Sequence, residues 1–314
     1  MAATVGRLHP WIPAERVTVV TQAACADGVL GVVPAAGVVV EPVGRNTAPA
    51  VALGLISLIS RHRGSTPVII LPSDHRVADA AAWRACLAAG VRAVEAGAPV
   101  ATLGVVPDRP EPGYGYLELA GPLDPAQAVY PVLRFVEKPP PAVAARYAAD
   151  GRHLWNAGVF IWTLSGLRQA FEDHLPPVAA LIDEALAASD PAAVAAERYA
   201  DLEAQSLDFG IMEHMQGVVA VPADVGWDDL GSLSALERLL PGDGDGNTLV
   251  APFVGFDNQG LIVKGSDRLI AAFGLRDLMI VDTGDVVMVC PKGRDADIRT
   301  LVAKVQAAGF EEVL

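Results

Sequence analysis

Apolar residues along this chain follow two alternating rhythms. Short β-branched runs at 17–21, 37–40, 68–71 and 100–106 predict strands, and Ala-rich stretches from Thr47 to about Arg61 and from Asp79 to about Glu95 predict helices. Strand, helix, strand in this order predicts an α/β domain with a mostly parallel sheet and helices on both faces. After Pro110 the rhythm loosens. Strands are predicted at 114–119, 129–137, 156–164 and 218–221, two or three helices between 167 and 200, and a short helix from Asp208. Residues 231–240 close this unit, and the Pro-Gly-Asp-Gly-Asp-Gly run at 241–246 breaks any regular structure. Beyond it, 249–254, 261–263, 269–273, 278–281 and 286–289 predict short strands, followed by a helix from about Asp295. The expected organisation is a large α/β domain over residues 1–241 and a small β-rich domain with a terminal helix over 247–314.

Composition narrows the setting. Apolar residues make up 52% of the 314, yet the most apolar windows, 51–60 and 158–164, fall far short of the roughly 20 residues that span a bilayer. The first ten residues, which include His9 and Pro10, lack the basic, apolar and cleavage regions of a secretory signal. Cys25, Cys86 and Cys290 are scattered and odd in number, which suits a reducing, cytoplasmic location and no disulfide framework. A net charge of −14 argues against nucleic-acid binding, which needs a basic surface to displace counterions. It still allows a locally basic pocket for a small anion.

Several chemistries have no support. There is no G-x-x-x-x-G-K-[ST] loop, no G-x-G-x-x-G after a strand, no G-x-S-x-G elbow and no metal-ligand spacing among the histidines. Asp243-Gly-Asp245-Gly-Asn247 imitates a calcium loop but has Thr248 where Gly is required and Val254 where a bidentate Glu belongs.

The candidate residues stand at strand ends and turns. Asp74 emerges after the buried run 68–71, where open α/β sheets place ligands, although an Asp there also serves as a cap. Asp229 lies in Gly226-Trp-Asp-Asp-Leu-Gly231, which also reads as a plain turn. Two such acids would suffice for Mg²⁺, which takes one or two carboxylates alongside phosphates. The stretch Glu41-Pro-Val-Gly-Arg45-Asn46-Thr47 joins a strand to a helix whose first N–H groups favour an anion, or are simply capped. Gly113-Tyr-Gly115-Tyr allows close approach of the backbone to a ligand. Glu137-Lys138, stiffened by the prolines at 139–141, could grip sugar hydroxyls and a phosphate, or form an exposed ion pair. Asn156-Ala-Gly158 opens an apolar strand.

Taken together with 206–213, these segments keep an order and spacing that resemble the sugar-1-phosphate nucleotidyltransferases. EPVGRNTAPA at 41–50 makes the chain most similar to the short bacterial mannose-1-phosphate guanylyltransferases. The resemblance runs from about residue 17 to Gly231 and implies a Rossmann-like nucleotidyltransferase sheet. It also implies GTP and mannose 1-phosphate as substrates, and GDP-mannose and pyrophosphate as products. By the same resemblance Asp74 and Asp229 hold Mg²⁺ and Lys138 sits by a phosphate. Glu137, Asn156, Gly113, Gly115 and Gly158 shape the sugar pocket, Asp208 lines its phosphate end, and Glu41, Arg45, Asn46 and Thr47 border the base. Helix-rich surfaces beside a β domain make a homodimer the assembly to test.

Two departures accompany the resemblance. The family opens with a strand and a Gly-rich G-G-x-G-x-R loop around the triphosphate, and the 314 residues do not include it. Met1 falls inside what would be the next helix, so a segment of roughly 30–40 residues is expected upstream. His214 stands where the family has Lys, which weakens any phosphate contact at neutral pH. The competing expectation is a non-catalytic homologue that binds sugar nucleotides or regulates a catalytic partner. Reading the DNA in frame upstream of Met1 separates the two. Codons for a Gly-rich loop support the enzyme, and a stop codon immediately before Met1 supports the homologue. The 314 residues alone are expected to turn over little, and normal turnover would show the loop to be dispensable.

Overall fold

The computed structural model describes residues 1–121, 123, 128–231, 235–294 and 297–313. These form two compact units, Met1–Trp227 and Asp228–Leu314.

The first unit starts with a one-turn helix, α1 (Ala2–Gly6). Strands β1 (Thr18–Gln22) and β2 (Gly37–Glu41) then pair in parallel, Thr18 opposite Gly37, through α2 (Ala23–Val32), and α3 (Thr47–Ile59) follows. A six-stranded sheet is built from β3 (Pro67–Ile70), β4 (Val100–Val105), β5 (Tyr116–Leu119), β6 (Tyr130–Val136), β7 (His153–Thr163) and β8 (Val218–Pro222). Its order is β3-β7-β4-β8-β6-β5. Strands β3, β4, β8 and β5 run one way, with β7 and β6 against them. Among the described residues only β4 and β8 pair in parallel within this sheet, because the β5–β6 hairpin reverses the chain and β7 keeps the direction of β6.

Strand β7 is buried on both faces, and its residues alternate between two cores with the period of two that a strand requires. Leu154, Phe160 and Trp162 pack with α3, α6 (Leu164–His174) and α7 (Pro176–Ala187), through residues such as Leu55, Phe171 and Ile182. Trp155, Val159 and Ile161 pack with Trp83 and Leu87 of α4 (Ala80–Glu95) on the other face. The expected helices on both faces are therefore found. The strand expected from 156 begins at His153, and three helices fill 164–198, the last being α8 (Pro191–Arg198). Helix α5 (Pro141–Ala149), unforeseen in the sequence, starts at the last of three prolines, which suits the first turn of a helix because the missing N–H would have no partner there.

In the second unit, α9 (Ala235–Leu239) precedes β9 (Thr248–Val250), β10 (Phe253–Phe256), β11 (Ile262–Lys264) and β12 (Ile270–Phe273). Strands β13 (Leu278–Asp282), β14 (Val287–Pro291) and helix α10 (Ile298–Ala307) complete it. Strands β9, β11 and β13 stack in parallel, β14 closes antiparallel on β13, and β10 pairs in parallel with β12. Leu261, Val263 and Ile280 fill the interior. The single strand expected at 249–254 is two, because Pro252 stands between them without an N–H for a ladder. The expected helix start at Asp295 lies outside the described residues.

Leu87 is fully buried between α4 and the sheet. Leu87→Ala is expected to destabilise the first unit by about 2–5 kcal/mol. All five tryptophans lie in that unit, so their fluorescence during denaturation reports it alone.

Candidate active site

Strand register brings distant segments to one end of the sheet. Asn156 lies opposite Gly104 near the end of β4, Trp155 opposite Tyr116 at the start of β5, and Tyr116 opposite Val136 at the end of β6. Gly115, Glu137 and Asn156 thus sit at one level. Strand β3 ends at Ile70, opposite Phe160, and its continuation carries Pro72 and His75 to Gly158.

Asn156 organises this end. Its main-chain N–H donates to the Gly115 carbonyl (2.8 Å), and its side-chain amide donates to Asp208 Oδ1 (2.9 Å). Its Oδ1 accepts from the Gly158 N–H (3.1 Å), and the Thr102 hydroxyl, which donates to the Val159 carbonyl at 2.9 Å, lies 3.3 Å from it. Gly158 has φ +64°, a conformation that a side chain would strain. A Cβ at Gly115 would lie 2.5 Å from Glu137 Oε2 and 3.2 Å from Asn156 Cβ, so a side chain there would displace the Glu137 carboxylate.

The neighbouring side chains are acidic. Glu137 is ion-paired to the exposed Lys138 (3.2 Å), and its N–H donates to Glu213 Oε1 (2.9 Å). Burial pushes the Glu137 carboxyl above its ordinary range, the charge on Asp208 adds to this, and Lys138 opposes it. Asp208, in a single turn of π-helix at 208–212, is also pushed up by burial, against the hydrogen bonds that it accepts. Glu213, which no strand-end pattern marks, completes the group. His214 is exposed and its ring lies 6.0 Å from that of His174.

The base-side candidates form a second group. Glu41 Oε2 accepts from the hydroxyl of buried Tyr199 (3.0 Å), a residue without a signal in the Ala-rich sequence around it. Burial and this bond raise the Tyr199 pKa and keep it a phenol. Arg45 donates to the Ala200 carbonyl. The N–H groups at the start of α3 are already engaged: Thr47 N–H by Asn46 Oδ1 (2.8 Å) and Ala48 N–H by the Gln205 carbonyl (3.0 Å). The Thr47 hydroxyl accepts from Leu207 N–H (2.8 Å), one residue before Asp208. The helix start therefore anchors the 205–208 segment rather than presenting free donors.

The exposed Asp74 makes no side-chain hydrogen bond or ion pair among the described residues. Next to it, His75 Nδ1 accepts from the Trp227 indole N–H (3.1 Å), and Trp227 packs edge-on against Tyr114 of the Gly113–Gly115 turn. Asp228 is buried and forked by Arg238, with nitrogens 2.8 and 3.1 Å from its oxygens, whereas Asp229 Oδ1 accepts from Gly231 N–H (3.0 Å). Of the two adjacent acids, Asp228 is thus the structural one. Among the described residues no cluster of three or more His, Cys, Asp or Glu could hold a metal. Asp74 is an exposed strand-end carboxylate, the donor type that Mg²⁺ takes alongside phosphates and water.

Residues 21–244 match the nucleotidyl transferase family and 252–305 the MannoseP isomerase/GMP-like beta-helix domain. Xanthan biosynthesis protein XanB of Xanthomonas campestris pv. campestris (strain B100) is 36% identical over 90% of this chain and 60% of its own length. Mannose-1-phosphate guanylyltransferase of Escherichia coli (strain K12) is 32% identical over 88% of this chain and 59% of its own. The chain thus spans about 60% of the length of these curated relatives. A solved structure titled mannose-1-phosphate geranyltransferase, from Thermus thermophilus, superposes with a TM-score of 0.85 at 33% identity, covering 97% of this chain and 88% of that one. No described helix is long and apolar enough to cross a membrane.

A raised carboxyl pKa means that the folded protein holds this proton more tightly than the unfolded chain. Stability is then greatest at low pH and falls as pH rises from the ordinary Glu value of about 4.3 through the raised one. Glu137→Gln is expected to flatten that fall and to leave the pH 7 melting temperature unchanged or higher. Thermal melts between pH 4 and 8 check this; a lower melting temperature at pH 7 would show that the carboxylate stabilises the fold.

Proposed function

The chain belongs to the nucleotidyl transferase family, and on that footing we propose that it transfers the GMP group of GTP to mannose 1-phosphate. A phosphate oxygen of the sugar phosphate attacks the α-phosphorus, the bond from that phosphorus to the bridging β-phosphate oxygen breaks, and GDP-mannose and pyrophosphate result. The observation that carries this reading is the joined Gly115–Glu137–Asn156–Asp208 group at the sheet end that also bears Asp74.

The residues divide the work by position. Glu137 accepts hydrogen bonds from sugar hydroxyls, Asp208 lines the sugar-phosphate end, and Asn156 keeps Asp208 and the Gly158 stretch of β7 in place. Gly113 and Gly115 let the sugar approach the backbone, and Lys138 turns from its pair with Glu137 toward a phosphate. Glu41, Arg45, Asn46 and Thr47 form the base side, held by Tyr199 and the 205–207 segment. Asp74 and Asp229 are the carboxylates for Mg²⁺, which when bound screens the charge of the phosphate oxygens. Catalysis of this kind rests on positioning and charge neutralisation more than on covalent chemistry. The free thiols of Cys25 and Cys86 support a cytoplasmic setting.

Pyrophosphate release from GTP, mannose 1-phosphate and Mg²⁺ is the direct assay, with other nucleotides and sugar phosphates as controls. Asp229→Asn is expected to lose nearly all turnover, while Asp228→Asn, which disrupts the Arg238 pair, mainly lowers stability. Unchanged turnover in Asp229→Asn would refute the metal assignment.

A further inference from the structure

Asp74 poses a positioning problem. Its segment, 71–75, has no regular secondary structure, its side chain is exposed, and no bond within the described residues aims the carboxylate. Its direction therefore follows from its main chain alone.

That main chain is held on both sides of Asp74 by α1 and the turn after it. The hydroxyl of buried Thr4 donates to the Ser73 carbonyl (2.9 Å), and Arg7 Nη2 donates to the His75 carbonyl (2.7 Å). The two holders also meet, with Arg7 Nη2 lying 3.3 Å from Thr4 Oγ1. Arg7 is fixed in turn: its Nε donates to the Ala3 carbonyl (3.1 Å), and Arg84 of α4 donates to the Arg7 carbonyl (2.8 Å). The Trp227 bond to His75 Nδ1 fixes the far side of the segment. A helix of five residues is too short to be stable on its own, so these contacts and the burial of Leu8 are what order it.

We propose that Thr4 and Arg7 are positioning residues that set the Asp74 carboxylate for a divalent cation. The inference rests on the reading of Asp74 as a metal carboxylate. Both residues act through the carbonyls that flank Asp74 and touch neither cation nor substrate. Partners that orient a metal-binding group typically change affinity by about 10–100-fold when removed, and a misplacement of about 1 Å can cost a rate of about 10²-fold.

The test is a manganese(II) titration followed by electron paramagnetic resonance, in the presence of GDP-mannose, whose diphosphate supplies further oxygens. Thr4→Val keeps the shape and removes the hydroxyl, Thr4→Ser keeps the donor, Arg7→Lys keeps the charge but not the forked geometry, and Asp74→Asn is the reference. Weaker Mn²⁺ binding in Thr4→Val and Arg7→Lys by about 10-fold or more, with recovery in Thr4→Ser, is the expected result. Melting temperatures are read on the same samples, since a purely structural role lowers them without moving the Mn²⁺ constant. Wild-type Mn²⁺ affinity in Thr4→Val and Arg7→Lys, beside weakened binding in Asp74→Asn, overturns the positioning role and leaves the metal reading standing. Unchanged affinity in Asp74→Asn overturns both.

Discussion

The amide of Asn156 is the constraint on which the candidate site depends. By strand alternation it shares a face with Leu154, Phe160 and Trp162, so a polar group enters an otherwise apolar layer. Such a group is costly unless bonded, and here its side-chain nitrogen and oxygen and its main-chain N–H all have partners. Those partners decide what comes together. Asp208 is drawn from the π-helical turn, the Gly115 carbonyl from the loop before β5, and the Gly158 N–H fixes the positive-φ point of β7 that lies beside Pro72 and His75. One side chain thus sets the spacing between the acidic group and the Asp74 segment.

Burial raises the proton affinity of Glu137 and Asp208, the charge of Asp208 raises that of Glu137 further, and the charge of Glu213 acts in the same direction on both. Lys138 offsets only part of this, since it is largely exposed and its charge is shared with water. A group of partly desolvated acceptors with few internal donors is poor design for stability and good design for a ligand rich in hydroxyl groups. The hydroxyl groups of a sugar supply the donors that these acceptors lack. This trade of stability for binding is common at functional sites.

Much of this was legible in the sequence, for physical reasons that differ by element. The runs at 68–71 and 100–106 are β-branched and buried, so pattern alone placed β3 and β4 to within a residue or so. Helix α2 was not legible, because Gly28 and Gly31 dilute its helix propensity and it has little buried surface to impose a period. The directions of β6 and β7 depend on pairings between distant segments, which local pattern does not carry. Family resemblance supplied the identity of Glu137, Asn156 and Asp208 as candidates. Their mutual bonds, and the parts played by Glu213 and Tyr199, emerge only when the chain is folded.

The two aspartates of 228–229 show why the fold is needed to rank equivalent residues. In sequence they are adjacent acids between glycines, and nothing local separates them. Arg238, one helix away, forks Asp228, and the Asp228 carboxylate also accepts from the Leu230 N–H. The turn is therefore held from both acids, with Asp228 taking Arg238 and the Leu230 N–H and Asp229 taking the Gly231 N–H. The Asp74 segment differs: Thr4 and Arg7 hold the flanking carbonyls, and Trp227 holds the His75 ring. At Asp74 the bonds that fix the backbone belong to neighbours of the acid rather than to the acid itself. A carboxylate proposed to take up and release a cation can do so at Asp74 without loosening the loop that carries it, because that loop is held by Thr4 and Arg7.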